Sequence, residues 1–307
     1  MVVTGGAGFI GSNIAAALAD RDDEVIVFDD LSSGYAENLA GQPDVKLVEG
    51  SILDADLVED VIAGADVVFH HAASVGNKRS IDDPRHDVMV NAVGTINVLE
   101  ACRRGGVRKV VYASSAGIFG ELRELPISET HPLEPDSPYG ASKLAGEKAC
   151  LVYAKLYELE AVALRYFNVY GPHQRFDEYG NVIPIFVFQM IDGETLTIFG
   201  DGEQTRDFIN VRDVVQANLK AGDSRGVSGA FNLGSGTRIS INGLVRELAG
   251  LADGGVDVRY GPPRPGDVRD SLADISRAQE ALGFTPAVSL PQGLPEYVSW
   301  ARAERRT

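Results

Sequence analysis

The sequence predicts a doubly wound parallel α/β sheet of the Rossmann type, followed by a smaller C-terminal α/β lobe. Three observations carry this. Short apolar strands alternate with helical stretches as far as about Tyr170. A glycine turn, Gly5-Gly6-Ala7-Gly8-Phe9-Ile10-Gly11, stands between the first strand and the first helix. Beyond residue 170 the rhythm changes: loops lengthen, and Gly, Pro and Arg become prominent. The expected division is a domain over 1–170 and a lobe over 171–307, with some of its strands or helices free to return to the first domain.

Val2-Val3-Thr4 is a short apolar strand, and the glycine turn follows directly. A helix runs through Ile14 to Leu18, and a second strand, Glu24 to Phe28, ends at Asp29-Asp30. Glycines at 5, 8 and 11 make a tight turn and let a pyrophosphate approach the helix N-terminus. Asp29, 18 residues past Gly11, is placed to bind the adenosine ribose hydroxyls. A carboxylate there repels a 2′-phosphate, so the expected cofactor is NAD rather than NADP.

Val45–Val48 and Val67–Phe69 read as further strands, Asp87 to Arg104 as one long helix, and Arg108 to Ala113 as a strand ending at Ser114-Ser115. A helix from Pro138 to about Tyr157 and a strand from Ala161 to Tyr166 complete the first domain. In the second part, helical patterns recur near 182–193, 211–222, 240–252, 274–282 and 291–305. Ligands of such sheets bind outside the carboxyl ends of the strands, where Ser115 and the loop after Tyr166 fall. The smaller lobe is expected to close over them.

Ser137-Pro138-Tyr139-Gly140-Ala141-Ser142-Lys143 carries the chemistry. Ser137 is an N-cap, and Pro138 suits the first helical position. Tyr139 and Lys143 then share a helix face one turn apart. A phenol with an ordinary pKa of about 10 is a poor base at neutral pH. A nearby ammonium and the positive helix end both favour the phenolate, which can take a proton from a sugar hydroxyl.

Composition bounds the remainder. The chain has 307 residues, of which 44% are hydrophobic and 23% charged, and a formal net charge of −16. That acidity argues against nonspecific nucleic-acid binding, and an anionic ligand would need arginines gathered in its own pocket. No apolar run is long enough to span a bilayer, and with a strand already at residue 2 no targeting peptide is expected. The expected location is the cytoplasm. Cys102 and Cys150 read as core thiols. Histidines 70, 71, 86, 131 and 173 lack metal-ligand spacing, and no metal is expected.

Further motifs run almost end to end: Thr4 to Ser12, His71-Ala72-Ala73, Asn91 with Gly94 to Ala101, Ser114-Ser115, Tyr139 to Lys143, Arg165 to Pro172, Gly200-Asp201-Gly202, Thr205 to Phe208 and Arg264 to Asp267. In these the chain resembles the extended short-chain dehydrogenase/reductases, in the NAD-dependent nucleotide-sugar epimerase/dehydratase group, and most of all the UDP-hexose 4-epimerases. The resemblance implies Tyr139 as acid/base, Lys143 on the nicotinamide ribose, and Ser115 on the sugar 4-hydroxyl. It implies cofactor contacts from Gly5, Gly8, Phe9, Ile10, Gly11, Asp29, Asp30, Ser33, Gly34, Ser51, Ile52, His71, Ala72, Ala73, Asn91, Tyr139, Lys143 and Tyr166. For a UDP-sugar it implies Ser115, Ala116, Gly117, Asn168, Asn181, Arg206, Arg264, Asp267 and Ser271. Many relatives have Gly-Asp after the third strand, the Asp binding the adenine amino group. Here Gly50-Ser51-Ile52 stands, so that contact is weakened or remade through a hydroxyl.

The implied reaction is hydride transfer from sugar C4 to NAD⁺, rotation of the 4-keto sugar, and return of hydride to its other face. A 4,6-dehydratase on this scaffold carries an Asp-Glu pair after the catalytic Ser/Thr, and the nucleotide-sugar decarboxylases usually keep a glutamate there, whereas Ala116-Gly117 follow Ser115 here. A UDP-glucuronate 4-epimerase needs no acid there and is the closest rival. A non-catalytic dinucleotide sensor would tend to lose the Tyr/Lys pair. In the resembling epimerases a small residue at the position of Ser271 accompanies use of N-acetylated sugars, so UDP-GlcNAc and UDP-GalNAc are expected substrates beside UDP-Glc and UDP-Gal. Relatives pair the helices near 87–104 and 138–157 into a four-helix bundle. Val93, Val98, Cys150 and Val152 lie on these helices beyond one face, and a homodimer is expected.

Overall fold

The computed structural model describes residues 1–177, 180–263 and 268–306. Arg264 and Asp267 lie outside the described residues.

The first part of the chain runs β1 (Val2–Thr4), α1 (Phe9–Ala19), β2 (Ile26–Asp29), β3 (Lys46–Glu49), α2 (Ala55–Ile62), β4 (Val67–His70), α3 (Asn77–Asp82), α4 (Pro84–Val88), α5 (Thr95–Gly105), β5 (Lys109–Ser115), α6 (Pro138–Leu156) and β6 (Glu160–Tyr166). Then come β7 (Asn168–Tyr170), α7 (Val182–Asp192), β8 (Leu196–Phe199), β9 (Thr205–Arg206), β10 (Phe208–Asn210), α8 (Val211–Asp223), β11 (Gly229–Leu233), β12 (Ile239–Ser240), α9 (Ile241–Ala249), β13 (Val258–Gly261), α10 (Ser276–Leu282) and α11 (Leu290–Glu304).

Seven parallel strands form the central sheet in the order β11-β6-β5-β4-β1-β2-β3. The winding direction reverses between β1 and β4, where adjacent loops diverge and leave a crevice at the carboxyl edge. Strands such as Val67-Val68-Phe69 are covered on both faces, which is why they read as unbroken apolar runs. One face packs α1 and α8, the other α2, α5 and α6. A third core, built on Phe186, Leu196, Leu244 and Tyr297, belongs to the C-terminal elements. β11 pairs with β6, and α8 packs on α1, so the segment 211–233 belongs to the sheet and its helical cover.

The structure differs from the sequence expectation in a broken long helix and in two helices, α2 and α3, where no element is expected. The expected long helix over 87–104 is α4, a π-helical turn at Met89–Gly94, and α5. The extra residue of a π turn is invisible to a 3.6-residue period. A Cβ at Gly94 would stand 2.5 Å from Cδ1 of Ile52, so only glycine lets the loop after β3 pack here. Also, α2 fills a stretch to which the sequence reading assigned no element. Asp54 caps it by accepting from the amide of Leu57, and Val58, Val61 and Ile62 bury its inner face. Cys102 and Cys150 are free, buried thiols. Among the described residues, no helix is long and apolar enough to cross a membrane.

Candidate active site

The glycine turn begins where β1 ends. Gly5 has φ +66°, and a Cβ on it would lie 2.5 Å from the amide nitrogen of Ala72. A Cβ at Gly11 would lie 2.2 Å from the carbonyl oxygen of Gly5. Both positions therefore require glycine if β1, the turn and α1 are to pack this closely. Gly8 is the N-cap of α1 and contributes no side-chain cap, so the amides around Phe9 and Ile10 stay open to an anion. Asp29 closes β2. Its carboxylate accepts from the amides of Ala7 and Leu31, both at 2.9 Å, which aims it and leaves lone pairs for a ribose diol. Burial pushes its pKa up against those two bonds. A Cβ on Gly34 would come within 2.8 Å of Oδ1 of Asp29. Asp30 and Ser33 lie exposed on the same loop. Ser51 Oγ accepts from Leu53 N at 3.3 Å and keeps its own proton to donate. This cradle fits a dinucleotide.

The carboxyl end of β4 is locked. His70 bonds Thr4 Oγ1 through Nδ1 at 2.7 Å and Thr95 Oγ1 through Nε2 at 3.0 Å. The Thr95 hydroxyl donates to Asn91 O at 2.7 Å, which assigns the proton of His70 to Nε2. Burial, with Lys143 and His71 nearby, holds His70 neutral. His71 stacks on Tyr166 and bonds its hydroxyl at 3.0 Å. Burial and Lys143 push its pKa down to about 3, and its Nδ1 is buried without a protein partner. Ala72 donates its amide to Thr4 Oγ1, and Ala73 follows at the crevice. The Tyr166 hydroxyl is committed to His71 and Asn218, and the Asn91 amide to Ser74, Asp87 and Ser142. These two side chains brace the wall of the crevice.

Ser115 ends β5 directly beside Tyr166, the end of β6. Ser137 caps α6 by accepting from the amide of Gly140 at 3.2 Å, with Pro138 at the first position, as the sequence predicts. Tyr139 and Lys143 follow one turn apart. The Ser115 hydroxyl stands beside the Tyr139 phenol and favours its ionised form. Gly117 donates its amide to Ser115 Oγ at 3.1 Å. The Lys143 ammonium is buried 4.5 Å from the centroid of the Tyr112 ring. Burial drives Lys143 down to about 8 and raises Tyr139. Burial thus opposes ionisation of the phenol, against the Lys143 charge and the helix end that favour phenolate.

The residues expected on the nucleotide side lie along another strip. β7 pairs with β10 so that Asn168 lies opposite Phe208, two residues from Arg206. Asn168 Nδ2 donates to Asp207 O at 3.0 Å, and Ser271 N donates to Thr205 O at 3.1 Å. Asn168, Arg206 and Ser271 thus meet along Thr205-Arg206-Asp207. The buried Asp207 carboxylate holds this strip by accepting from Ser235 N, Ser235 Oγ, Gly236 N and Ala273 N. The sequence reading quoted Asp207 only inside its motif, because nothing local marks it as a hub. Asn181 starts α7 without capping it, which leaves a second long helix with open N-terminal amides. Among the described residues, no hydrogen bond joins Ser271 to Ser115, Gly117 or Tyr139, and no group of three or more His, Cys, Asp or Glu is placed to hold a metal ion.

A parallel sheet with this glycine cradle, and a Ser/Tyr/Lys set at its carboxyl edge, defines an extended short-chain dehydrogenase/reductase. More narrowly, the chain belongs to the NAD dependent epimerase/dehydratase family, whose model matches residues 1–234. Its cofactor is accordingly NAD. The chain is 42% identical over 307 residues to a UDP-glucose 4-epimerase of Mycolicibacterium smegmatis, covering 98% of each chain. Its structure is similar to that of a UDP-glucose 4-epimerase of Thermotoga maritima solved with UDP-glucose, with a TM-score of 0.94, 38% identity and 99% of each chain covered. It is also similar to a UDP-N-acetylglucosamine 4-epimerase of Methanobrevibacter ruminantium in complex with UDP-N-acetylmuramic acid, with a TM-score of 0.93, 37% identity, and 99% and 98% of the two chains covered.

Proposed function

We propose that this chain is a UDP-sugar 4-epimerase acting on UDP-Glc/UDP-Gal and on UDP-GlcNAc/UDP-GalNAc. One observation carries the choice of reaction. A Cβ at Gly117 would stand 3.4 Å from Ser115 Oγ and 3.7 Å from the Tyr139 ring, so this position faces the reacting pair. An acid there would reach the sugar, but the chain offers Ala116 and Gly117, which cannot move a proton. A reaction that eliminates water has no second acid/base at this wall, whereas a reversible oxidation at C4 needs none.

In this reading Ser115 bonds the 4-hydroxyl and Tyr139 accepts its proton. Lys143 holds the nicotinamide ribose and supplies the positive charge that the buried phenolate needs. NAD⁺, when bound, supplies the hydride acceptor and later the donor. Tyr139 then returns the proton after the keto sugar has turned over. Asn168, Asn181 and Arg206, with Arg264 and Asp267, hold the UDP half so that the sugar can rotate while staying bound. Ser271 is the small wall beside the hexose. The protein works as a homodimer through the outer faces of α4, α5 and α6.

Incubation with a panel of UDP-sugars, read by NMR, tests this. Interconversion of both plain and N-acetylated pairs is expected. Tyr139→Phe should lose about two to four orders of magnitude in turnover while binding NAD and UDP. Ser271→Tyr should abolish the N-acetyl activity and spare the plain hexoses. Turnover of UDP-glucuronate alone would overturn the substrate assignment.

A further inference from the structure

Asp87, on α4, is fully buried beneath the catalytic helix. Its carboxylate accepts from the Ser142 hydroxyl and from Asn91 Nδ2, the latter at 3.1 Å. Among the described residues it has no salt-bridge partner, although a buried, unpaired carboxylate is costly. Ser142 lies between Tyr139 and Lys143 on α6, and its hydroxyl also contacts Tyr139 O at 3.0 Å. Asn91 Nδ2 reaches Ser142 Oγ at 3.0 Å and Ser74 O at 2.9 Å. The network therefore ties the catalytic turn of α6 to the π turn and to the loop behind His71.

We propose that Asp87 is a positioning residue: through Ser142 it holds the helical turn that carries Tyr139 and Lys143, and its buried charge is the counter-charge of the Lys143 ammonium. The other titratable groups facing this pair are His70 and His71 at the end of β4, Tyr112 on β5, and Glu147 and Cys150 on α6. Glu147 is already engaged by Arg165, and both histidines are neutral. Lys78, Arg79 and Asp82 of α3, and Arg85 and His86 of α4, are exposed. Asp87 is thus the buried charge at the pair that no arginine or lysine neutralises by direct contact. Burial is the larger influence on both groups; the field of Asp87 adds to the rise of Tyr139 and opposes the fall of Lys143.

The proposal rests on the epimerase reading only for the substrate used to follow turnover. Asp87→Asn keeps the shape and removes the charge. In the NAD-loaded protein kcat should fall about tenfold with KM nearly unchanged, and both limbs of the kcat–pH profile should move to lower pH by about half a unit or more. The same displacement should appear without any sugar in the phenolate absorbance of Tyr139, taken as the difference from Tyr139→Phe. Absence of turnover on every UDP-sugar would sink the epimerase reading and leave the phenol titration to judge Asp87. A soluble, NAD-loaded Asp87→Asn protein whose titration is unmoved overturns the proposal. Should that variant not fold, Ser142→Ala decides: it breaks the relay and keeps the charge, so turnover should fall with both limbs in place, and wild-type turnover overturns the positioning role.

Discussion

Gly117 turns a bare Cα towards the ring of Tyr139, 3.7 Å short of Cδ1 and Cε1 for a Cβ built upon it. Those are ordinary contact distances, so the protein itself can accept a methyl group there; the space it would take lies beside the reacting hydroxyls. Gly117→Ala should change stability by no more than about 1 kcal/mol in urea unfolding. It should lower kcat/KM by about 10- to 200-fold, the range for one misplaced methyl group in a pocket. Equal losses of stability and activity would show that Gly117 serves the fold instead.

Burial shifts Tyr139 up and Lys143 down. In NAD-free protein the Tyr139 phenol should titrate above the ordinary range of about 10, because burial opposes its ionisation and the neighbouring Ser115 hydroxyl offsets this only in part. Lys143 should lose its proton near pH 8. Loading with NAD⁺ brings a positive ring into the site, so phenolate should then form at lower pH. Difference absorbance between wild type and Tyr139→Phe, with and without NAD⁺, measures this. A phenol ionising near neutral pH in the NAD-free protein would contradict the burial argument.

Arg165 and Glu147 form a buried ion pair at 2.7 Å, and Ser114 Oγ donates to the same carboxylate at 2.6 Å. The pair joins α6 to β5 and β6 behind the site. Arg165→Met leaves the Glu147 charge buried without its cation and should cost about 3–5 kcal/mol. Urea denaturation of the NAD-loaded protein reads this, and a loss below about 1 kcal/mol would be in the range of an exposed pair.

Val88, Met89, Val93 and Ile96 are exposed on the α4–α5 stretch, as are Val152 and Leu156 on α6. Of the four apolar residues that the sequence reading offered for a partner, Val93 and Val152 are on this surface. Val98 is buried in the protomer's own core and is corrected to a core residue, and Cys150 is buried there too, in keeping with its reading as a core thiol. An apolar face of this kind suits a second copy of the chain. Light scattering at micromolar concentration should give a dimer, and Val93→Glu with Val152→Glu should give a folded monomer. A monomeric wild type would count against the assembly.

Periodicity and turn chemistry alone determined the strand–helix alternation, the glycine cradle, Asp29 at the end of β2, and a capped helix presenting Tyr139 and Lys143. Each depends on residues close in sequence, where φ preference, cap chemistry and apolar spacing act directly. The tertiary structure decided what depends on distant partners. The π turn arises because Asn91 bonds Ser74 and Ser142 while Gly94 admits Ile52. Asp87 and Asp207 look like surface acids in the sequence and become buried hubs only when other elements bring donors to them. How readily Tyr139 ionises was likewise undecidable from spacing, since i and i+4 neighbours specify proximity but not solvent. Burial is a property of the whole packed chain, and here it opposes the ionisation of Tyr139 that the local pairing with Lys143 favours.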